Sequence, residues 1–249
     1  MEADKPSTRQ TADPTSEALS APDALINRDE GLKYWNSVAN DADGMLGGVP
    51  TMPGLSAMSR VDLQGSRSFL AKLGIGAKPG LRMVSRALEG GAGIGRITEG
   101  LLLKICHEVD IIEPVEKFTD ALKGKNGIGR VFNVGLEGWS PAEHDQYDLI
   151  WTQWCVGHLT DAQLVTYLET CRRVLNPETG IIVIKENLST REEDVFDATD
   201  SSVTRQDVKF RSLFKQANLR IVKTELQKGL PKKHLDKLMP IRVYALRPQ

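Results

Sequence analysis

ALEGGAGIGRIT, residues Ala87–Thr98, sets Gly90, Gly91, Gly93 and Gly95 between an acid and an apolar run of helical spacing. A turn so poor in side chains permits positive φ and lets a ligand lie against bare backbone. In a doubly wound sheet such a turn joins the first strand to the first helix, at the carboxyl ends of the strands where ligands bind. A dinucleotide fingerprint needs GxGxxG, but from Gly91 the chain reads Gly-Ala-Gly-Ile-Gly-Arg, with Arg96 where the last glycine belongs. The spacing here is GxGxG.

Two acids flank this turn. Glu89 stands two residues before Gly91, and Glu113 closes the next apolar stretch, EVDIIEP, about 20 residues past the glycines, where an acid can take both ribose hydroxyls. The pattern suits a nucleoside that carries a cationic amino acid and no pyrophosphate. S-adenosylmethionine has this shape: Glu89 answers its ammonium group and Arg96 its carboxylate.

Outward from the turn, strand-like and helix-like segments alternate. LRMVSRALE precedes it as a strand, although Arg82, Ser85 and Arg86 sit poorly in a central strand. RITEGLLLKIC follows as a helix with Ile97, Leu101, Leu102 and Ile105 on one stripe. VEKFTDALKG reads as a helix, RVFNVGL and YDLIWTQWC as strands, and TDAQLVTYLETCRRVL as a helix entered through a Thr160-x-x-Gln163 capping box. GIIVIKEN is a β-branched strand, SVTRQDVKFRSLFKQANL a helix, and RIVKTELQ with IRVYALR a final strand pair. This alternation predicts an α/β, doubly wound, mostly parallel sheet covered on both faces.

Ahead of this domain, residues 1–28 are rich in Pro, Ser, Thr, Ala, Asp and Glu without periodicity, the composition of a disordered tail. GLKYWNSV reads as an amphipathic helix with Leu32, Trp35 and Val38 on one face, and the Gly-rich DGMLGGVP, Asp43–Pro50, follows it. A net charge of −1 in 249 residues gives no basic surplus for nucleic acid. Cys106, Cys155 and Cys171 lack metal or disulfide spacing and read as reduced, buried thiols. With neither a leader pattern nor a membrane-length apolar run, the expectation is a protein of the cytosol or nucleus with no membrane partner; separately, a monomer is expected.

DGMLGG, GAGIGRIT, IWTQWCVGHLTD, IIVIKEN and DSSVTR, in that order, resemble the eukaryotic α-N-terminal protein methyltransferases, from about Gly31 to Pro248. The resemblance implies a class I methyltransferase fold, Rossmann-like, with seven strands, the last antiparallel. Residues 29–249 then form the methyltransferase domain, with residues 29–57 as an N-terminal helical lid. It implies S-adenosylmethionine as cofactor, S-adenosylhomocysteine as product, and protein substrates beginning X-Pro-Lys after Met removal, ribosomal proteins among them. Carried over by position, cofactor contacts fall on Gly91, Gly93, Arg96, Glu113, Pro114, Val115, Leu136, Glu137 and Gln153. Glu89 and Glu113 stand where relatives carry Asp, and Ala198 follows Asp197 where relatives have a second acid.

Methyl transfer requires an acceptor amine with a free lone pair, and an α-amino group of pKa about 7.7–8.0 is only roughly a tenth to a fifth neutral at pH 7. His158, in the loop after the fourth strand, is placed to take the proton. Taken alone, a histidine there is a structural hydrogen bonder; the strand-end position within the motif favours the base. The resemblance adds Asp200 as second partner of the amine, and Asp200 reads equally as an N-cap for a helix beginning near Ser202. Trp154 offers a flat face for a proline ring or fills core, and Trp35 lines the channel or docks the lid. Asn187 can bond the first peptide unit of a substrate, which would thread over Leu46 and Gly47. Asp197 and Asp200 make the mouth acidic, suited to lysine at the third position, while Ser202 and Tyr244 come as lining residues from the resemblance only. A small-molecule methyltransferase and a non-catalytic N-terminus-binding module remain as alternative readings.

Overall fold

The computed structural model describes residues 21–52, 54–230 and 238–249. Its centre is a seven-stranded sheet of β1 (Val84–Gly90), β2 (Cys106–Ile112), β3 (Ile128–Phe132), β4 (Leu149–Gln153), β5 (Ile181–Asn187), β8 (Leu219–Leu226) and β9 (Ile241–Pro248), in the order β3-β2-β1-β4-β5-β9-β8. The first five strands pair in parallel, and β9 runs antiparallel between β5 and β8. Because the order reverses between β1 and β4, a crevice opens at their carboxyl ends.

Period-two burial sends alternate residues to opposite faces. Leu88, Ile112, Ile150 and Ile182 pack under α6 (Asp161–Arg173) and α7 (Asp207–Gln216). Ala87, Val109, Leu149 and Val183 meet Phe69 and Leu70 of α3 (Met58–Ala71) and Ile97 of α4 (Arg96–Gly100). The capping box is present at α6, with Thr160 and Gln163 each accepting from the other's backbone N–H. No helix among the described residues is long and apolar enough to cross a membrane.

Several elements depart from expectation. RITEGLLLKIC divides into α4 and a 3-10 turn over Leu102–Lys104. Gly100, a weak helix former, lies at the break, where Leu63 of α3 packs so closely that a β-carbon would stand 2.8 Å from its Cδ1. VEKFTDALKG gives only the single turn α5 (Glu116–Thr119). SVTRQDVKF does not begin a helix: Ser202–Thr204 is β7, paired antiparallel with β6 (Val195–Asp197), and α7 starts at Asp207. β-Branched Val203 and Thr204 favour that extended pairing.

The polar residues of β1 also find an explanation. Ser85 and Arg86 donate backbone N–H bonds to Asp148, and the Arg86 guanidinium pairs with buried Asp110 and Asp145 over the Tyr147 ring. Residues 21–28 belong to the structured part of the chain rather than to a tail. Pro22–Leu25 form a 3-10 turn, Asp23 accepts the Asp161 N–H at the start of α6, and Asn27 caps α1 (Arg28–Ser37). Residues 1–20 of the expected tail lie outside the described residues.

Candidate active site

Where β1 ends, the chain passes Glu89 and enters the glycine turn, with Gly91 at φ 69° and Gly93 at φ 53°. A β-carbon on Gly91 would strike the Cys155 sulfur at 2.4 Å, so this corner accepts glycine alone. At Gly93 the neighbour is Met45, which ends α2 (Ala42–Met45), its sulfur 2.8 Å from where a β-carbon would stand. A cavity opens beside the turn. The chain that follows β1, β2 and β4 forms its floor, and Gly31, Leu32 and Trp35 of α1 form one wall.

Glu89 is 2% exposed and accepts a 2.5 Å bond from the Thr98 hydroxyl. Burial pushes its carboxyl up to about 8, against that hydrogen bond and the nearby Arg96 charge. Glu113 accepts the backbone N–H of Gly93 and of Val115, each at 2.9 Å, and so ties the glycine turn to the end of β2. Its carboxyl is also raised, with burial outweighing the two backbone bonds. Both acids face the cavity together with Pro114, Val115, Leu136, Glu137 and Gln153.

Arg96 reaches the cavity already paired. It donates a 2.7 Å bond to Asp62 of α3 and lies over the Trp154 ring, 5.1 Å from its centroid. Asp62 is fully buried, pairs with Lys185 of β5 at 2.5 Å and also accepts from the Gln153 amide. Ser66 and Gln227 accept the remaining Lys185 hydrogens. Sequence reasoning named neither Asp62 nor Lys185. The available signal was an acid on the apolar face of an amphipathic helix and a lysine inside an apolar strand, since a buried charge requires a partner.

His158 ends the 3-10 turn Val156–His158 that follows β4. Its Nε2 accepts the Trp35 indole N–H at 2.9 Å, and the two rings meet edge to face. Burial lowers the imidazole below the ordinary histidine range, while the Asp200 charge, the Ser201 backbone and Glu137 pull it back in part. The ring therefore carries a lone pair at neutral pH. Asp200 lies in the β6–β7 turn, so it does not cap α7; that position belongs to Gln206. Its Oδ1 is buried without a hydrogen-bond partner among the described residues, as is the Trp154 Nε1.

Other expected lining residues stand apart from the cavity wall. Leu46 is buried and Gly47 exposed at φ 60°, and the neighbouring Met45 lines the cavity instead. Tyr244 is fully buried among Phe210 and Phe214, its hydroxyl donating to Asp207, because its position on β9 faces α7. Asn187 closes β5 opposite Ile241, and Ser202 pairs with Asp197 in the β6–β7 ladder. Cys155, Phe118 and Ser201, none of them expected, complete part of the wall.

The residues present fit S-adenosylmethionine. Two buried carboxyls and a guanidinium surround a bare-backbone turn; Asp200 is not on the cavity wall but precedes Ser201, which is. Residues 23–247 match the family described as AdoMet-dependent proline di-methyltransferase. The alpha N-terminal protein methyltransferase 1 of Schizosaccharomyces pombe is 44% identical over 221 residues, which cover 88% of this chain and 95% of that protein. The N-terminal Xaa-Pro-Lys N-methyltransferase 1-A of Xenopus laevis is 40% identical, covering 86% and 92%. A solved Leishmania major structure titled a SAM-dependent methyltransferase superposes with a TM-score of 0.74 at 36% identity, covering 88% of this chain and 82% of that one. With the seven-strand topology and the glycine corner already in place, the chain belongs to the AdoMet-dependent proline di-methyltransferase family and is an S-adenosylmethionine-dependent methyltransferase.

Proposed function

We propose that this enzyme methylates the α-amino group of protein chains beginning X-Pro-Lys, with His158 and Asp200 handling the amine. One observation carries the reading: a histidine held neutral by burial, in electrostatic reach of the Asp200 carboxylate, whose Oδ1 has no partner among the described residues. A protonated amine supplies a hydrogen to this Asp200 oxygen and a proton to the neutral imidazole, in place of the Trp35 hydrogen bond. The names of the relatives in Schizosaccharomyces pombe and Xenopus laevis support the substrate class.

When bound, S-adenosylmethionine supplies the methyl group as an electrophile. Glu89 would hold the ammonium of such a ligand and Glu113 its ribose, and Arg96, with N–H donors beyond the one given to Asp62, would hold the carboxylate. The incoming substrate ammonium replaces the Trp35 indole as donor to His158 Nε2 and passes one proton to it. Asp200 Oδ1 accepts a second hydrogen, which orients the nitrogen lone pair. Arg96 lies over one face of the Trp154 ring, and the substrate proline stacks on the opposite one. Asp197 and Asp200 give the mouth negative charge for the lysine, an attraction that weakens with salt. α1 and Met45 act as the lid over this site.

Labelled cofactor with the peptides Ser-Pro-Lys and Ser-Ala-Lys tests the reading. The first is labelled and the second at least tenfold less; equal labelling, or none of the first, rejects it. His158→Ala lowers kcat by roughly a hundredfold, the low end of general-base contributions, with cofactor affinity unchanged.

A further inference from the structure

Two buried charged side chains inside the sequence motifs have no part in the chemistry above. Glu186 of IIVIKEN is 7% exposed, and its Oε1 accepts the backbone N–H of Cys155 at 2.9 Å and of Val156 at 3.1 Å. Arg205 of DSSVTR is fully buried and donates to the carbonyls of Val156 at 3.0 Å and Leu159 at 2.5 Å. Its Nε pairs with Asp161 at 2.8 Å, and Asp161 also holds Lys209. The four bonds to backbone land on the 155–159 segment between β4 and α6 that carries His158, and the Asp161 pair ties Arg205 to the start of α6.

Val156 and Leu159 are buried, and buried backbone groups that a short turn cannot satisfy depend on side chains to do so. Here a carboxylate takes the N–H groups on one side and a guanidinium fork takes the carbonyls on the other. The imidazole sits between this anchored backbone and α1, whose Trp35 indole N–H donates to His158 Nε2 at 2.9 Å.

We propose that Glu186 and Arg205 are positioning residues that clamp the 155–159 turn and thereby aim His158 at the substrate amine. The proposal rests on the reading of His158 as proton acceptor. It assigns the carboxylate of Glu186 the part of a hydrogen-bond acceptor and not of a charge, so glutamine at that position serves as well. Loss of the clamp lets the turn drift toward water. The His158 imidazole, now depressed by burial against Asp200 and Glu137, then moves back up toward the ordinary histidine range.

The test uses the full chain and four variants: Glu186→Ala, Glu186→Gln, Arg205→Lys and His158→Ala. The readouts are kcat and KM for a Ser-Pro-Lys peptide, Kd for S-adenosylhomocysteine by calorimetry, and the His158 pKa by NMR titration. Glu186→Ala lowers kcat at least tenfold, holds Kd within threefold and raises the His158 pKa; Glu186→Gln restores at least half of the wild-type kcat. Arg205→Lys, which keeps the charge but loses the planar fork, raises the His158 pKa in the same way and decides the matter if Glu186→Ala does not fold. An unchanged kcat and His158 pKa in Glu186→Ala and in Arg205→Lys overturns the proposal, as does a Glu186→Gln variant as impaired as Glu186→Ala. If His158→Ala keeps full activity, the base assignment fails and the catalytic half of the proposal with it, while the NMR titration still reports whether the clamp sets the imidazole.

Discussion

At the scale of single residues, Glu89 shows how burial turns an ordinary carboxyl into one that holds its proton near neutral pH. With its carboxyl at about 8, it carries a proton at pH 7, and an ammonium group placed against it favours the ionised form. Ligand binding below pH 8 therefore releases a proton, and affinity for S-adenosylhomocysteine rises between pH 6 and pH 8. Calorimetry at pH 7 in two buffers of different ionisation enthalpy is expected to report nearly one proton released in the wild type and none in Glu89→Gln. Equal proton counts in the two proteins would remove Glu89 from the ammonium site. The presence of an acid before the glycines was legible in ALEGGAGIGRIT. That burial raises its carboxyl was not, because the shift comes from 2% exposure, which outweighs the opposing Thr98 hydrogen bond and is a property of the packed site. Arg96 makes the same point. Its place just after the glycines is read directly from the sequence, but its partner Asp62 lies 34 residues earlier, on a helix that only folding brings near.

Among the elements, α1 is the least self-sufficient. Ten residues form a marginal helix in isolation, so its place depends on what it touches. Four contacts hold it: the Asn27 N–H to Ser201, Arg28 to Glu137, the Trp35 indole to His158, and Lys117 on the carbonyls of Asn36 and Val38. Gly31 makes the close approach possible, since a β-carbon there would lie 3.2 Å from the Asp200 carbonyl oxygen. Gly31→Val is therefore expected to lift this helix while leaving the sheet intact. Hydrogen exchange of the amides of residues 32–37 accelerates at least tenfold, and exchange in β1, β4 and β5 does not change. Unaltered protection in α1 would show that the close packing at Gly31 is not what seats it. The periodicity of GLKYWNSV announced this helix. The failure of SVTRQDVKF to start a helix was hidden, since Val203 and Thr204 obey a strand partner that lies seven to nine residues earlier.

Across the whole molecule, the sheet supplies a crevice and the segments after its strands furnish it, so ligand binding and folding are linked. A ligand that binds only the folded chain, present at 100 times its Kd, stabilises by about 2.7 kcal/mol. For a chain of this size the gain is roughly 5–10 °C in melting temperature. S-adenosylhomocysteine is expected to give such a shift in the wild type and none in Gly93→Val, where a branched side chain meets the Met45 sulfur and the ligand's path. A full shift in the variant would place the ligand elsewhere.

The sequence alone determined the alternation of strands and helices, the parallel sheet, the glycine corner and the pair of acids beside it. Each of these is encoded locally, in periodicity, turn chemistry and short spacing. Only the tertiary structure decided that Tyr244 belongs to the core beneath α7, that Asp62 and Lys185 back the Arg96 site, and that Glu186 and Arg205 grip the turn bearing His158. Those roles depend on the pairing of buried charges and backbone groups between segments far apart in the chain, and no local pattern says which distant partner will satisfy a group once water has been removed.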